Sequence, residues 1–503
     1  MAIEPVFEKI NVTAQGTPIK GQIKIDCKTD VETSTVEKVL SVNAFAVISQ
    51  SETLKAELSY GGKVTFYVSY LGVDGEVYKC ECGSEFSGVL ASENLVVGMR
   101  VKSNATVEKT EVSSDGLRLE TTAFISITAI PCERKEINAL SGGEDLIVDT
   151  SDVSIVKSFG MKEGVFPLEE EFELNYPVKE VLSHRADVVV TSVQCGVGAI
   201  IVDGEVFLTL IALQKNEKKD IIRENKVLPF RYELECEDAM PTMQATARAK
   251  ERSFKTDISV DTEKGTSTLL SSVTLQIEGE AFANTSTSLV VDAFSTKEQV
   301  ELIYDEVPYN KACEQYGTSF VYSGRSAVEE LPVGAVLLAV GGEKTDIIST
   351  VKNDSGIDVT GTVTAIAYLR DGDGKVFTRT LETPFERTID CTCGENHSVE
   401  TACVPTKAMA KIVSLTEMEL NCEILFTVYP CENNSIKYVK EIKCVGEKTD
   451  CSSAISVFIA SEGEDLWSLS KRLNVCPETL VLTNKDLQFP LTGKERIVIY
   501  RQK

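Results

Sequence analysis

The amino-acid sequence predicts a mainly β protein: three tandem β-rich units, sandwich- or barrel-like, followed by a small α+β module ordered strand, helix, helix, strand. Three observations carry that expectation. A segment recurs at intervals of about 142–157 residues. Apolar and polar residues alternate inside the recurring segments. Helical periodicity is scarce before residue 460.

The recurrence is specific. Val36-Glu37-Lys38-Val39-Leu40-Ser41 is echoed by residues 178–183 and, more weakly, by residues 333–338. Each copy precedes a glycine that opens a strand-like run, at 62–71, 204–213 and 361–369. The third run is one residue shorter, a difference that a β-bulge absorbs. Phe86, Phe230 and Phe385 follow Gly62, Gly204 and Gly361 by 24, 26 and 24 residues. Residues 146–149 (Leu-Ile-Val-Asp) match residues 289–292 (Leu-Val-Val-Asp) as boundary segments.

Within the first unit Val64, Phe66, Val68 and Tyr70 share one strand face, and Thr65, Tyr67 and Ser69 the other. A later strand carries Leu117, Leu119, Ala123, Ile125 and Ile127 in the first unit. Its counterparts carry Val273, Leu275 and Ile277, then Met418, Leu420, Cys422, Ile424, Phe426 and Val428. Turn signals at Asp74-Gly75, Asp115-Gly116 and Asp371-Gly372-Asp373-Gly374 separate the runs. The expected units span 1–147, 148–296 and 297–452, and the module spans 453–503.

Composition narrows function. The net charge of −26 supplies no positive excess to displace counterions, which argues against nucleic acid and an anionic membrane surface. The charge is uneven: residues 454–503 carry +1 and the remainder −27. The start, Met1-Ala2-Ile3-Glu4-Pro5, lacks a secretory pattern. No apolar run approaches the roughly 20 residues of a membrane helix, residues 335–340 being far too short. Retention in the cytoplasm without membrane insertion is expected.

Fifteen cysteines include two Cys-x-Cys pairs, Cys80/Cys82 and Cys391/Cys393. On a strand each pair faces one way and could hold a soft metal. Only His184 and His397 are available to complete such a site, so reduced thiols and no metal are expected. Cross-linking in a later oxidising setting is a third reading. Asp371 and Asp373 are read as a turn, because no twelve-residue calcium loop with a terminal Glu follows. Glu169-Glu170-Glu171 reads as a solvated strand edge or loop. No Gly-x-Ser-x-Gly elbow or phosphate-binding loop occurs. No catalytic residue and no cofactor are expected, and repetition points to valency or length.

The last fifty residues point to a ligand class. Gly463-Glu464-Asp465-Leu466-Trp467 precedes a helical stretch with Leu469, Leu473 and Val475. Cys476-Pro477-Glu478-Thr479 opens a second, and Gly493 precedes Ile497-Val498-Ile499. Asp465 suits a helix N-cap, and Pro477 a first turn. This segment resembles a LysM module, a fold that usually binds N-acetylglucosamine polymers and sometimes protein. The common Gly-Asp-Thr-Leu opening stands here as Gly463-Glu464-Asp465-Leu466. The resemblance implies a groove between Gly463, Glu464, Asp465, Leu466 and Trp467 on one side and Asp486, Leu487, Gln488, Phe489 and Pro490 on the other. Trp467 is the only tryptophan in the chain, suited to core packing or to contact.

The preceding units, with their glycine–strand–phenylalanine pattern, resemble SPOCS domains. SPOCS units ending in a LysM resemble the spore coat and envelope morphogenetic proteins of the SipL/SpoVID type. The resemblance implies a non-enzymatic scaffold in the mother-cell cytoplasm at the forespore surface. Its LysM would dock to the ATPase of the coat basement layer, with other coat proteins as partners and homo-oligomers allowed. The alternative is a cell-wall or cortex protein that binds peptidoglycan.

Overall fold

In the computed structural model, residues 3–353, 356–391, 393–448 and 455–500 are described. Alternating apolar residues and Gly-marked turns give long antiparallel strands throughout, and the protein is mainly β. A first group holds β1 (Pro5–Gln15), β2 (Ile19–Asp30), β3 (Val36–Leu54), β4 (Glu57–Gly72), β5 (Val77–Ala91), β6 (Arg100–Ser114) and β7 (Arg118–Gly143). A second holds β8 (Ile147–Leu174), β9 (Val178–Cys195), β10 (Ala199–Gln214), β11 (Ile221–Glu235), β12 (Gln244–Asp261) and β13 (Thr266–Phe294). A third holds β14 (Glu298–Ala312), β15 (Tyr316–Ala327), β16 (Val336–Asn353), β17 (Gly356–Arg370), β18 (Val376–Asp390), β19 (His397–Ser414) and β20 (Glu417–Glu447). The chain continues through β21 (Ile455–Ile459), α1 (Leu466–Leu473), α2 (Pro477–Thr483) and β22 (Arg496–Tyr500).

Each group forms a pair of sheets. One sheet is a meander: β3-β4-β5, β9-β10-β11 or β16-β17-β18. The other is built on the long last strand, β7, β13 or β20. Side chains from both sheets fill a shared core, such as Val64 and Phe66 against Ile125 and Ile127 in the first pair. The long strand then runs on as a ribbon, its outer half bonded to β1, to the start of β8, or to β14.

The recurring glycine and phenylalanine are cross-strand partners. Gly62 lies opposite Phe86, Gly204 opposite Phe230 and Gly361 opposite Phe385. On the other side of each glycine the register shifts, between Ile48/Gln50, Asp203/Gly204 and Ile347/Ser349. The bulge bends the strand, and the missing Cβ lets the phenylalanine ring lie on bare backbone. A Cβ on Gly361 would stand 2.6 Å from the Asp346 carbonyl and 2.7 Å from the Phe385 ring.

The three sheet pairs meet along a common line. At one end Leu40, Leu182 and Ala339 gather with Leu71, Leu213, Val77, Ile221, Tyr368 and Val376. The Tyr368 hydroxyl donates to Ser41 Oγ at 2.8 Å. At the other end the ribbons join through Ile137, Leu289 and Ile436, then through Leu140, Val290 and Val439. Ion pairs link all three: Glu76 with Lys179 at 2.9 Å, Asp220 with Arg370 at 2.9 Å, and Glu37 with Lys375 at 2.5 Å. Arg223 of β11 also pairs with the buried Glu343, which lies in the bulge between Gly341 and Lys344 of β16, its guanidinium donating to Val340 O at 2.8 Å.

Four details differ from the sequence reading. The weak third echo is displaced by one residue: Ala339 pairs with Tyr368 where Ser41 pairs with Ser69 and Ser183 with Ile211. A bulge in each of these strands hides the register. Leu117 is not part of β7 but lies in the preceding turn, 68% exposed. Residues 146–149 and 289–292 are not equivalent boundary segments: Asp149 pairs with Asp292 across β8 and β13. Cys391 and Cys393 sit in the β18–β19 connection, bonded to each other, while Cys80 and Cys82 do lie on one strand, β5. Among the described residues no helix is long and apolar enough to cross a membrane.

Gly361→Ala should destabilise the protein by about 1–3 kcal/mol, because neither the Asp346 carbonyl nor the Phe385 ring can give way cheaply. Urea unfolding followed by circular dichroism measures this. An unchanged midpoint would mean that the ring does not need the bare glycine.

Candidate functional site

The last four elements build a compact module. β21 pairs antiparallel with β22. The Asp465 carboxylate caps α1 by accepting the Ser468 N–H at 2.7 Å, and Asn474 ends it in a left-handed conformation with φ 56°. Pro477 occupies the first turn of α2. Leu469, Leu473, Leu480, Leu491, Ile497 and Ile499 form the core. The Asn484 side chain clamps the Val498 backbone, donating to its carbonyl at 2.9 Å and accepting its N–H at 2.8 Å.

The two expected loops adjoin. Gly463 donates to the Leu491 carbonyl at 2.8 Å, and the Leu491 N–H returns to Glu464 O at 3.0 Å. Their ten candidate residues divide by role. Gly463, Asp465, Asp486, Gln488 and Pro490 are exposed. Leu466, Leu487 and Phe489 pack against the module core, where apolar side chains in short loops gain most. Glu464 forms a two-pronged pair with Arg472, at 2.6 and 2.8 Å. These interactions hold the carboxyl below the ordinary glutamate range, the Arg472 bond being the main cause.

Trp467 is engaged with the body of the protein. Its indole Nε1 donates to Asp292 Oδ2 at 2.8 Å, and its ring meets Phe294 edge-on at 5.3 Å between centroids. Lys471, one turn along α1, donates to both Asp292 oxygens at 2.7 Å. Asn474 Nδ2 donates to Thr296 O at 2.8 Å, and Lys448 bridges Asn474 Oδ1 at 2.7 Å and Ser295 O at 2.8 Å. Burial alone would raise the Asp292 carboxyl, but the bonds from Lys471 and Trp467 outweigh it and hold its pKa down.

Lys471, Asn474, Asp292 and Phe294 were missed by the sequence reading. Trp467 and Lys471 stand four apart on one helix face, a signal available in the sequence. Nothing local marks Asp292 and Phe294 as their partners, 175 residues away for the indole bond.

A chamber of about 590 Å³, partly open to solvent, lies between the sheet pairs and is lined by all three. Two ion pairs cross the junctions here. Lys102 of β6 pairs with Glu280 of β13 at 3.4 Å, and Arg248 of β12 grips Glu400 of β19 while stacking on Tyr429 at 4.2 Å. These two pairs help hold the three sheet pairs together, while Lys250 and Glu278, whose carboxyl is pushed up by burial, also line the chamber.

The remaining candidates have structural roles. His184 Nε2 lies 3.2 Å from Glu251 Oε1, and its ring stacks on Phe254 at 3.8 Å and meets Tyr67 edge-on. Asp371 Oδ1 accepts the N–H groups of Asp373 and Lys375 at 3.0 and 2.8 Å, closing the β17–β18 turn. Glu169, Glu170 and Glu171 are exposed on β8, at the edge of its sheet. Among the described residues no group of three or more His, Cys, Asp or Glu is arranged to hold a metal ion. The chain matches no family model, no curated protein and no solved structure.

Because the Asp292 pKa is depressed, its contribution is complete above the ordinary aspartate value of 3.8 and is lost as pH falls through the lower folded value. Trp467 emission should therefore hold steady down to about pH 4 and shift red below it. Asp292→Asn should abolish that transition. A transition centred above about pH 5 would contradict the assignment to this carboxylate.

Proposed function

We propose that the protein is a non-enzymatic scaffold of the spore coat and envelope type. In this reading the three sheet pairs are copies of one SPOCS-like unit. The terminal segment is a LysM-type module used to dock protein, with the ATPase of the coat basement layer as its partner by resemblance. The protein works in the mother-cell cytoplasm at the forespore surface.

One observation carries the reading: the α1 face of the module already packs against a protein surface within the chain, through Trp467, Lys471 and Asn474 against Asp292, Phe294 and Thr296. An aromatic residue and a cation converging on a carboxylate are features of protein interfaces. Matching support comes from the body. Two ion pairs in its chamber tie neighbouring sheet pairs together, which is consistent with an assembly role.

The test is a sporulating strain carrying the chain without residues 454–503, followed by fluorescence localisation of coat proteins. Failure of the coat to encase the forespore is expected, and normal encasement would remove the docking claim. Saturable binding of the full chain to peptidoglycan, competed by chito-oligomers, would favour a wall-binding protein instead.

A further inference from the structure

We infer that the Trp467–Lys471 face of α1 is a recognition surface for an acidic peptide in which a carboxylate precedes an aromatic residue by two positions, and that Asp292-Ala293-Phe294 is an internal copy of that ligand. This deepens the docking reading and rests on it for the module's role.

The body segment has the form of a bound peptide. Asp292 presents both oxygens to the module, one to the indole N–H and both to the Lys471 ammonium. Two residues on, Phe294 is 2% exposed and lies edge-on to the indole. Asn474 then accepts the role of backbone reader by donating to Thr296 O at 2.8 Å. Carboxylate and ring therefore stand two apart on the strand end, the spacing at which strand residues share a face, and the carbonyl follows in the bend after β13.

The same place exists on the other two ribbons without these groups. All three ribbons carry a register shift at the same point, after Leu140, Val290 and Val439. The residue completing it is Gly142 in the first, Asp292 in the second and Glu441 in the third. The residue two further on is Glu144, Phe294 and Lys443. Only the second ribbon combines a carboxylate with an aromatic ring, and it is the one the module sits on. The fit thus follows the side chains rather than the ribbon fold. The module, at +1, also sits on a body at −27, so an acidic ligand is electrostatically matched.

An internal ligand lowers the apparent affinity for an external one, because the surface is free only in the undocked fraction. Removing Asp292 frees it. The experiment uses the full chain and its only tryptophan, Trp467. Asp292→Asn should shift Trp467 emission red and raise acrylamide quenching at least twofold, with the far-ultraviolet circular dichroism unchanged. Titrating an end-blocked synthetic peptide of residues 289–296 into that variant should restore the blue emission saturably. The apparent Kd should be at least tenfold tighter than for the wild-type chain, and the peptide with Asn at 292 should not bind.

Lys471→Glu provides a second release from the module side and should fail to bind the acidic peptide. Equal quenching in the wild type and both variants, or equal binding of the Asp and Asn peptides, would overturn the inference. Because fluorescence reads the surface without any coat partner, these results stand apart from the encasement assay. Peptide binding with normal encasement would sink the proposed function alone.

Discussion

The meander sheets have apolar residues on both faces, and each sheet pair covers only one of them. In β10 Leu210, Ile211, Ala212 and Leu213 are all buried, with 3% exposure at most. Leu210 faces the partner sheet, whereas Ile211 and Leu213 face the neighbouring sheet pairs. A sheet apolar on both sides must be covered on both sides. Three sheet pairs arranged round one line satisfy that demand mutually, and the ribbons, the chamber and the module's perch follow from it. Burying each large side chain at this junction contributes on the order of 2 kcal/mol. Exposed ion pairs contribute far less, so apolar burial drives the closure and the charges select its order.

The selection is visible in two pairs whose signs are exchanged. Glu76 and Lys375 each directly precede the first residue of β5 and β18, while Lys179 and Glu37 each follow the first residue of β9 and β3. Glu76 meets Lys179 between the first and second sheet pairs, and Lys375 meets Glu37 between the third and first. Exchanging neighbours would set Lys375 against Lys179, and Asp220, which directly precedes β11, against Glu37. Such like-charge contacts penalise the wrong order more than the native contacts stabilise the right one. At the third junction Asp220 holds the place of Glu76 and Lys375, directly before β11, but its partner is Arg370 at the end of β17.

Much of this was legible because it is local. The interval of 24–26 residues between glycine and phenylalanine is the length of a hairpin whose two strands place them opposite each other. Val64, Phe66, Val68 and Tyr70 alternate because the first sheet pair has a distinct inner face. Asp465 announced a helix start through capping chemistry. What escaped depends on bulges or distant partners. The third echo stands one residue off the register of the other two at a point where all three strands bulge, and the pairing of Asp149 with Asp292 turns a similar boundary into a contact. Trp467 was read as a core or groove residue, but its partners lie on another sheet pair, and no periodicity encodes that meeting. The strand face carrying Tyr67 and Ser69 is covered by His184 and Tyr368 from neighbouring sheet pairs, which no local pattern encodes.

The closure of the three sheet pairs on one another is most directly tested by hydrogen exchange on Leu182→Ala. Leu182 is fully buried where the three meet, and its truncation should cost about 2–5 kcal/mol. If the sheet pairs support one another, amide protection should fall together in β3–β5, β9–β11 and β16–β18. Loss of protection confined to β9–β11 would contradict the account and leave three independent bodies on one chain.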